Sequence, residues 1–189
     1  MGEPALALGF QDEVWWSRLA KPSMFAWTED KALRLVEKEA PKADTDRKAL
    51  ACYGLCLPQT HTMLLRFVTG RPVSQVTCDS LAWVADCMVH RGKKALLMIW
   101  DNASWHRSHM VRKWLKAHNQ RVKGEGGCRL IVCPLPSKSP WLNPIEPRWV
   151  HGKRAILEPT RLLTAPELIA RVCTYYGCEN LAPLTQQVC

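Results

Sequence analysis

An α/β fold with a mixed central sheet flanked by helices is what the sequence predicts, and three observations carry it. The early part of the chain holds several runs rich in apolar and β-forming residues, the middle alternates helical spacing with short continuous apolar runs, and the tail carries one well-capped helix. A run of strands followed by helix, strand, helix, strand, helix implies a sheet with both antiparallel and parallel neighbours. At 189 residues the chain suits one domain with a sizeable core and is short for two, so a single domain over 1–189 is expected.

Taken in order, ALALGFQDEVWW is apolar and partly alternating, which suits a strand ending near Asp12 and Glu13, and MFAWTE would form a hairpin with it. Residues 29–48 are charge-dense around Pro41 and read as a solvated loop or a short exposed helix. ALACYGLCL and HTMLLRFVTG are two further strands joined by a turn at Pro58. Val76, Leu81, Val84, Ala85, Met88 and Val89 recur at helical spacing, with Gly92 as the stop. KKALLMIW is a continuous apolar run of the kind found inside a sheet covered on both faces, and Asp101 is the first polar residue beyond it. HRSHMVRKWLKAHN sets Met110, Val111, Trp114, Leu115 and His118 on one helical face, and CRLIVCPLP returns as another buried strand. Thr164 and Glu167 form a T-x-x-E capping box with Pro166 in the first turn, and LIARVCTYY stops at Gly177.

Charge narrows the partner. Lys and Arg number 26 against 17 Asp and Glu, a net +9 that favours a polyanion, most commonly nucleic acid. The longest clean apolar run, ALLMIW at 95–100, is far below the roughly 20 residues that cross a bilayer, so no membrane partner is expected. The opening MGEPALALGF lacks the positive n-region of a secretory signal, which points to a cytoplasmic protein. Nine cysteines with no C-x-x-C pair are expected to be reduced and mostly buried. Zinc held by the 52/56, 128/133 or 173/178 pairs matches known frameworks poorly. There is no internal repeat, no glycine-rich phosphate loop and no G-x-S-x-G elbow, which leaves nucleophilic Ser or Cys chemistry without support.

Two carboxylates stand out. Working residues in open α/β sheets collect at the carboxyl ends of strands, where Asp101 sits; it either caps the following segment or holds a cation. In WLNPIEPRW, Glu146 is either the N3 glutamate of a helix capped by Asn143 or, because Pro147 disfavours helical geometry before it, a free side chain ahead of a helix beginning at Pro147.

The segments IWDNASWHRSHMVRKWL and LPSKSPWLNPIEPRW together resemble the second and third catalytic motifs of DDE transposases, in particular the mariner-related bacterial insertion-sequence group of the insertion sequence 630 type. The matching positions are Asp101, Asn102 and His106, then Leu135, Pro136, Ser139, Pro140 and the Leu142-Asn143-Pro144-Ile145-Glu146 string. FQDEVWW resembles the first motif, with Asp12 as the first acid. The chain departs from the pattern at Ser137, Lys138, Trp141 and Pro147, and its interval from Asp101 to Glu146 is long, with the surplus in residues 119–127.

The resemblance implies a ribonuclease H-like fold in which the first acid lies on the first strand, the second follows the fourth strand and the third starts a helix. It implies a catalytic domain for DNA strand cleavage and strand transfer, with Asp12, Asp101 and Glu146 as catalytic acids holding two Mg²⁺ or Mn²⁺ ions, which activate the attacking oxygen and stabilise the leaving one. Asn102, His106 and Asn143 are supporting candidates, with packing or capping as the plainer alternative, and Glu13 is the reserve acid, expected to point to the other face of its strand. Pro144 and the tryptophans would make a rigid mount for Glu146. Arg107, Lys113, Lys138, Arg148, Lys153 and Arg154 flank the acids as candidate phosphate contacts, and Trp105 and Trp141 are candidates for stacking on a base. The implied partners are transposon-end and target DNA, further copies of the chain on that DNA, and an upstream helix-turn-helix polypeptide, since that module is missing ahead of Asp12. The implied setting is the nucleoid. Two alternatives stay open: an inactive remnant that only binds nucleic acid or partner chains, and a ribonuclease H-like nuclease on another substrate.

Overall fold

The computed structural model describes residues 5–18, 25–27, 32–34, 40–137, 139–156 and 161–185. Its strands are β1 (Leu6–Ser17), β2 (Phe25–Trp27), β3 (Ala32–Arg34), β4 (Ala49–Leu57), β5 (Thr62–Thr69), β6 (Ala95–Trp100), β7 (Arg129–Pro134) and β8 (Leu184–Thr185). Its helices are α1 (Ser74–His90), α2 (His109–Glu125), α3 (Glu146–Ile156) and α4 (Ala165–Tyr176), with a single 3-10 turn at Pro140–Leu142. Six strands form one sheet in the order β7-β6-β1-β4-β5-β8. The β1–β4 and β4–β5 pairs are antiparallel, whereas β1–β6, β6–β7 and β5–β8 are parallel. The expected mixed sheet is therefore present.

Strand alternation splits the core in two. Ala7 of β1, Leu55 of β4 and Leu96, Met98 and Trp100 of β6 pack under α1 and α2. Val14 and Trp16 of β1, Cys52 and Cys56 of β4 and Leu65 and Phe67 of β5 pack under α3 and α4. Successive side chains on a strand point to opposite faces, so Asp12 leaves β1 toward the α3 side and Glu13 toward the other.

Several expectations needed correction. β1 does not end near Asp12 and Glu13; its pairing with β4 continues to Ser17↔Ala49. Nor does Phe25–Trp27 pair with it: β2 joins β3 in a separate two-stranded sheet. Both edges of β1 are taken, by β4 and β6, which leaves no place for a local hairpin. Ala32–Arg34 is strand rather than loop or helix. β7 is an edge strand and not a buried one, with Leu130 buried but Ile131 43% exposed. On α2 the buried stripe is Val111, Leu115, His118 and Val122, while Met110 turns outward. Of the cysteines described, Cys52, Cys56, Cys78, Cys128 and Cys173 are buried, and Cys133, on the exposed edge strand, is open to solvent. β8, pairing with β5 through two residues, was not anticipated.

The terminal signals behave as chemistry requires. Ser108 caps α2 by accepting the Val111 amide, and α4 has the reciprocal Thr164–Glu167 capping box and ends on Gly177 at φ 64°. A left-handed residue there suits glycine, which carries no Cβ to clash.

Candidate active site

β1 and β6 run parallel, with Phe10 opposite Ile99. Asp12 lies two residues beyond Phe10 and Asp101 two beyond Ile99, so Asp12, within β1, and Asp101, just past the end of β6, stand at the same level on neighbouring strands. α3 lies on the face toward which Asp12 points, and Glu146 is its first residue. The third acid therefore starts the helix one residue earlier than the reading in which Pro147 begins it.

Asp12 is 8% exposed. Its Oδ2 accepts the indole N–H of Trp149 at 2.9 Å. Burial, then repulsion from Glu146, push the Asp12 carboxyl up to about 7 against that hydrogen bond, which favours the anion. The Trp149 bond sets α3, which Glu146 begins, against Asp12, and the Glu146 charge opposes ionisation of Asp12.

Asp101 is differently engaged. Its Oδ1 lies 2.8 Å from His106 Nδ1 and accepts the Ala103 amide at 2.9 Å, the geometry of an Asx turn. The opposite ring nitrogen, Nε2, lies 2.8 Å from Glu13 Oε1. His106 is fully buried at its side chain and stacks on Trp100 with ring centres 4.4 Å apart. Burial pulls its pKa down, but the hydrogen bonds to Asp101 and Glu13 override that and raise it to about 9. At neutral pH it is an imidazolium joining two carboxylates, and the His106 bond holds Asp101 below the ordinary range. The buried imidazolium so placed joins Asp101 to Glu13.

Glu13 does point to the other face, but it is no idle neighbour. It accepts hydrogen bonds from Gln11 at 2.9 Å and from Trp105 at 3.3 Å as well as facing His106. Trp105 is thereby tied to Glu13. Trp141, by contrast, stands 75% exposed, so it is no part of a mount for Glu146. Asn102 donates to the Leu135 carbonyl and so fastens the end of β6 to the exit of β7. Asn143 is 2% exposed; it donates to the Gln11 carbonyl and accepts the Ile145 amide, both at 3.4 Å, which docks the approach to α3 against β1. It caps its own turn, and no reciprocal bond from Glu146 completes a capping box among the described residues.

Arg107 and Lys113 are exposed beside and on α2, while half-buried Arg148 and exposed Lys153 and Arg154 belong to α3, across the sheet. The basic candidates are therefore divided between its two faces, and Lys138 lies outside the described residues.

Two residues of the site go beyond the sequence reading: Trp149, expected only as part of a mount for Glu146, and Gly54, which was not singled out. Trp149 follows Glu146 by three positions in α3, a spacing that puts both on one side of the helix. Gly54 lies opposite Asp12 on β4, and a Cβ there would collide with the Trp149 ring. A lone glycine inside an apolar strand was the available signal, since it marks close approach by another group.

As oxygen donors of like charge, Asp12 and Glu146 fit a hard divalent cation, which would relieve their repulsion. Among the described residues no three His, Cys, Asp or Glu side chains are gathered closely enough to hold one metal ion. Asp101 has its carboxylate turned to His106.

Comparison with known proteins bears on the fold and the family. The chain matches 92% of its length to the solved Mos1 transposase paired-end complex with left transposon end, with a TM-score of 0.67 and 12% identity. The Mos1 mariner paired-end complexes with Mn and with Mg match at a TM-score of 0.65, with 12% and 13% identity over 92% and 90% of this chain. In each case 48% of the solved chain is covered, so this chain spans about half their length. The fold is the ribonuclease H-like one of that catalytic domain. No curated protein matches the chain. A family model described as DDE superfamily endonuclease matches residues 65–169, a span that contains Asp101 and Glu146 and begins after Asp12. With more than half of its length matched by that model, the chain belongs to the DDE superfamily endonucleases.

Proposed function

We propose that this chain is the catalytic domain of a transposase of the mariner-related bacterial insertion-sequence group, cleaving and rejoining DNA strands with two Mg²⁺ or Mn²⁺ ions held by Asp12, Asp101 and Glu146. What supports the reading is the Trp149 bond that holds α3, begun by Glu146, against Asp12, with Asp101 directly after the neighbouring strand. A bound pair of divalent ions would supply the activated oxygen and stabilise the departing one.

This chain's residues have separate tasks. Asp12, held by Trp149, and Glu146, at the start of α3, present oxygens from two different elements. His106 holds Asp101 against Glu13, and Asn102 secures the same turn to β7. Lys153 and Arg154, exposed in the last turn of α3, and Arg107, Lys113, Lys138 and Arg148 neutralise phosphates. The partners are transposon ends and target DNA, with copies of the chain assembling on that DNA in the cell's nucleoid. An upstream helix-turn-helix polypeptide supplies end recognition. Residues 1–189 act as one domain.

The test is strand cleavage of a duplex oligonucleotide by the purified chain with Mg²⁺ or Mn²⁺. Asp101→Asn is expected to abolish cleavage while retaining DNA affinity; cleavage by that variant would refute the assignment. A remnant that only binds DNA predicts no cleavage by the parent chain and no stabilisation by divalent metal.

A further inference from the structure

We infer that Trp149 is a positioning residue for the first carboxylate, and that Gly54 exists in this strand to admit it. The inference rests on the reading that Asp12 is a metal ligand, and it deepens that reading.

Among the described residues the Trp149 side chain makes one polar contact, the 2.9 Å bond from its indole N–H to Asp12 Oδ2, and the residue is 3% exposed. The ring is set by packing on several sides. Trp16 meets it edge-on at 6.1 Å between centres and Tyr176 at 5.6 Å, and the Tyr176 hydroxyl donates to the Arg148 carbonyl at 2.7 Å, pinning α4 to α3. Gly152, one turn further along α3, has no room for a Cβ beside that hydroxyl. The last wall is β4, where Gly54 faces Asp12 across the strand pair and its missing Cβ leaves the space that the ring occupies.

A side chain free to rotate would present either oxygen to a cation. With Oδ2 committed to the indole N–H, rotation of the Asp12 carboxylate is restricted, and Oδ1 is the oxygen the indole does not take. The same helix turn carries Glu146. Docking of α3 therefore fixes the first and third acids in one event, and loss of the indole N–H should loosen metal binding more than it loosens the fold. Partners of metal-ligating carboxylates typically contribute about 10- to 100-fold in affinity.

The test uses the full chain and Mn²⁺ as the probe, with binding followed by water-proton relaxation and fold stability measured separately in chelator. Trp149→Phe keeps a ring and removes the donor, and it should weaken Mn²⁺ by about 10- to 100-fold. Gly54→Ala pushes the ring away from the other side, should weaken Mn²⁺ by a similar factor, and remains informative if the first variant does not fold. In the double variant the two effects should not add, because both break the same hydrogen bond. Wild-type Mn²⁺ affinity in either folded single variant would overturn the inference, as would additive effects. Absence of Mn²⁺ binding by the parent chain would overturn the functional reading itself and this inference with it.

Discussion

Asp12→Asn should stabilise the metal-free protein, and the size of the gain follows from the site. The Asp12 carboxyl is raised from 3.8 to about 7, chiefly by burial and then by Glu146. Between those values the folded chain keeps a proton that the unfolded chain has released, so raising pH through this window favours unfolding. A shift of roughly 3 pH units corresponds to about 4 kcal/mol at the upper limit, fully developed above about pH 7. Asparagine removes the charge and still offers an oxygen to Trp149, but its amide must also be desolvated, so the expected gain is about 2–4 kcal/mol. For a chain of this size that is a rise in melting temperature of roughly 4–16 °C. The assay is thermal unfolding of parent and variant in chelator at pH 4 and pH 8. The two should melt alike at pH 4, where the acid is protonated, and separate at pH 8 with the variant higher. A variant no more stable than the parent at pH 8 would refute the argument that Asp12 is an opposed, buried carboxylate.

Two further outcomes are expected. His106, at about 9, contributes stability that is complete below its ordinary 6.5 and is lost as pH rises through about 9. His106→Ala should therefore lower stability by about 3–5 kcal/mol at pH 6, read from urea midpoints, and the gap should narrow above pH 9; a gap independent of pH would remove the ion-pair account. Replacing Lys153 or Arg154 by alanine should reduce the dependence of log DNA affinity on log salt by about 0.9 for each phosphate no longer neutralised, measured by titration at several salt concentrations. An unchanged slope would take that residue off the DNA-binding face.

Much of the molecule was legible because its signals are local. The 3.6-residue spacing of α1, the T-x-x-E box of α4 and Gly177 after it depend only on neighbours in the chain, and all three are realised in the structure, except that Val89 of α1 turns outward. Asp101 directly after ALLMIW needed only the recognition that a buried strand ends there. The motif strings marked the family, and within them His106 and Asn143 hold turns whose shape is local.

What tertiary structure alone decided concerns neighbours and faces. No local pattern tells β1 that β4 and β6, rather than β2, will flank it, and that choice is what made the nearest hairpin fail. An apolar run reads alike at a sheet's centre and edge, so β7 looked buried until the order of strands was known. Nor could sequence bring Trp149 to Asp12 through the gap at Gly54, or join His106 to Glu13. Helical periodicity and capping are free energies of adjacent residues, whereas these interactions join residues far apart in the chain, and only burial of a shared core selects them.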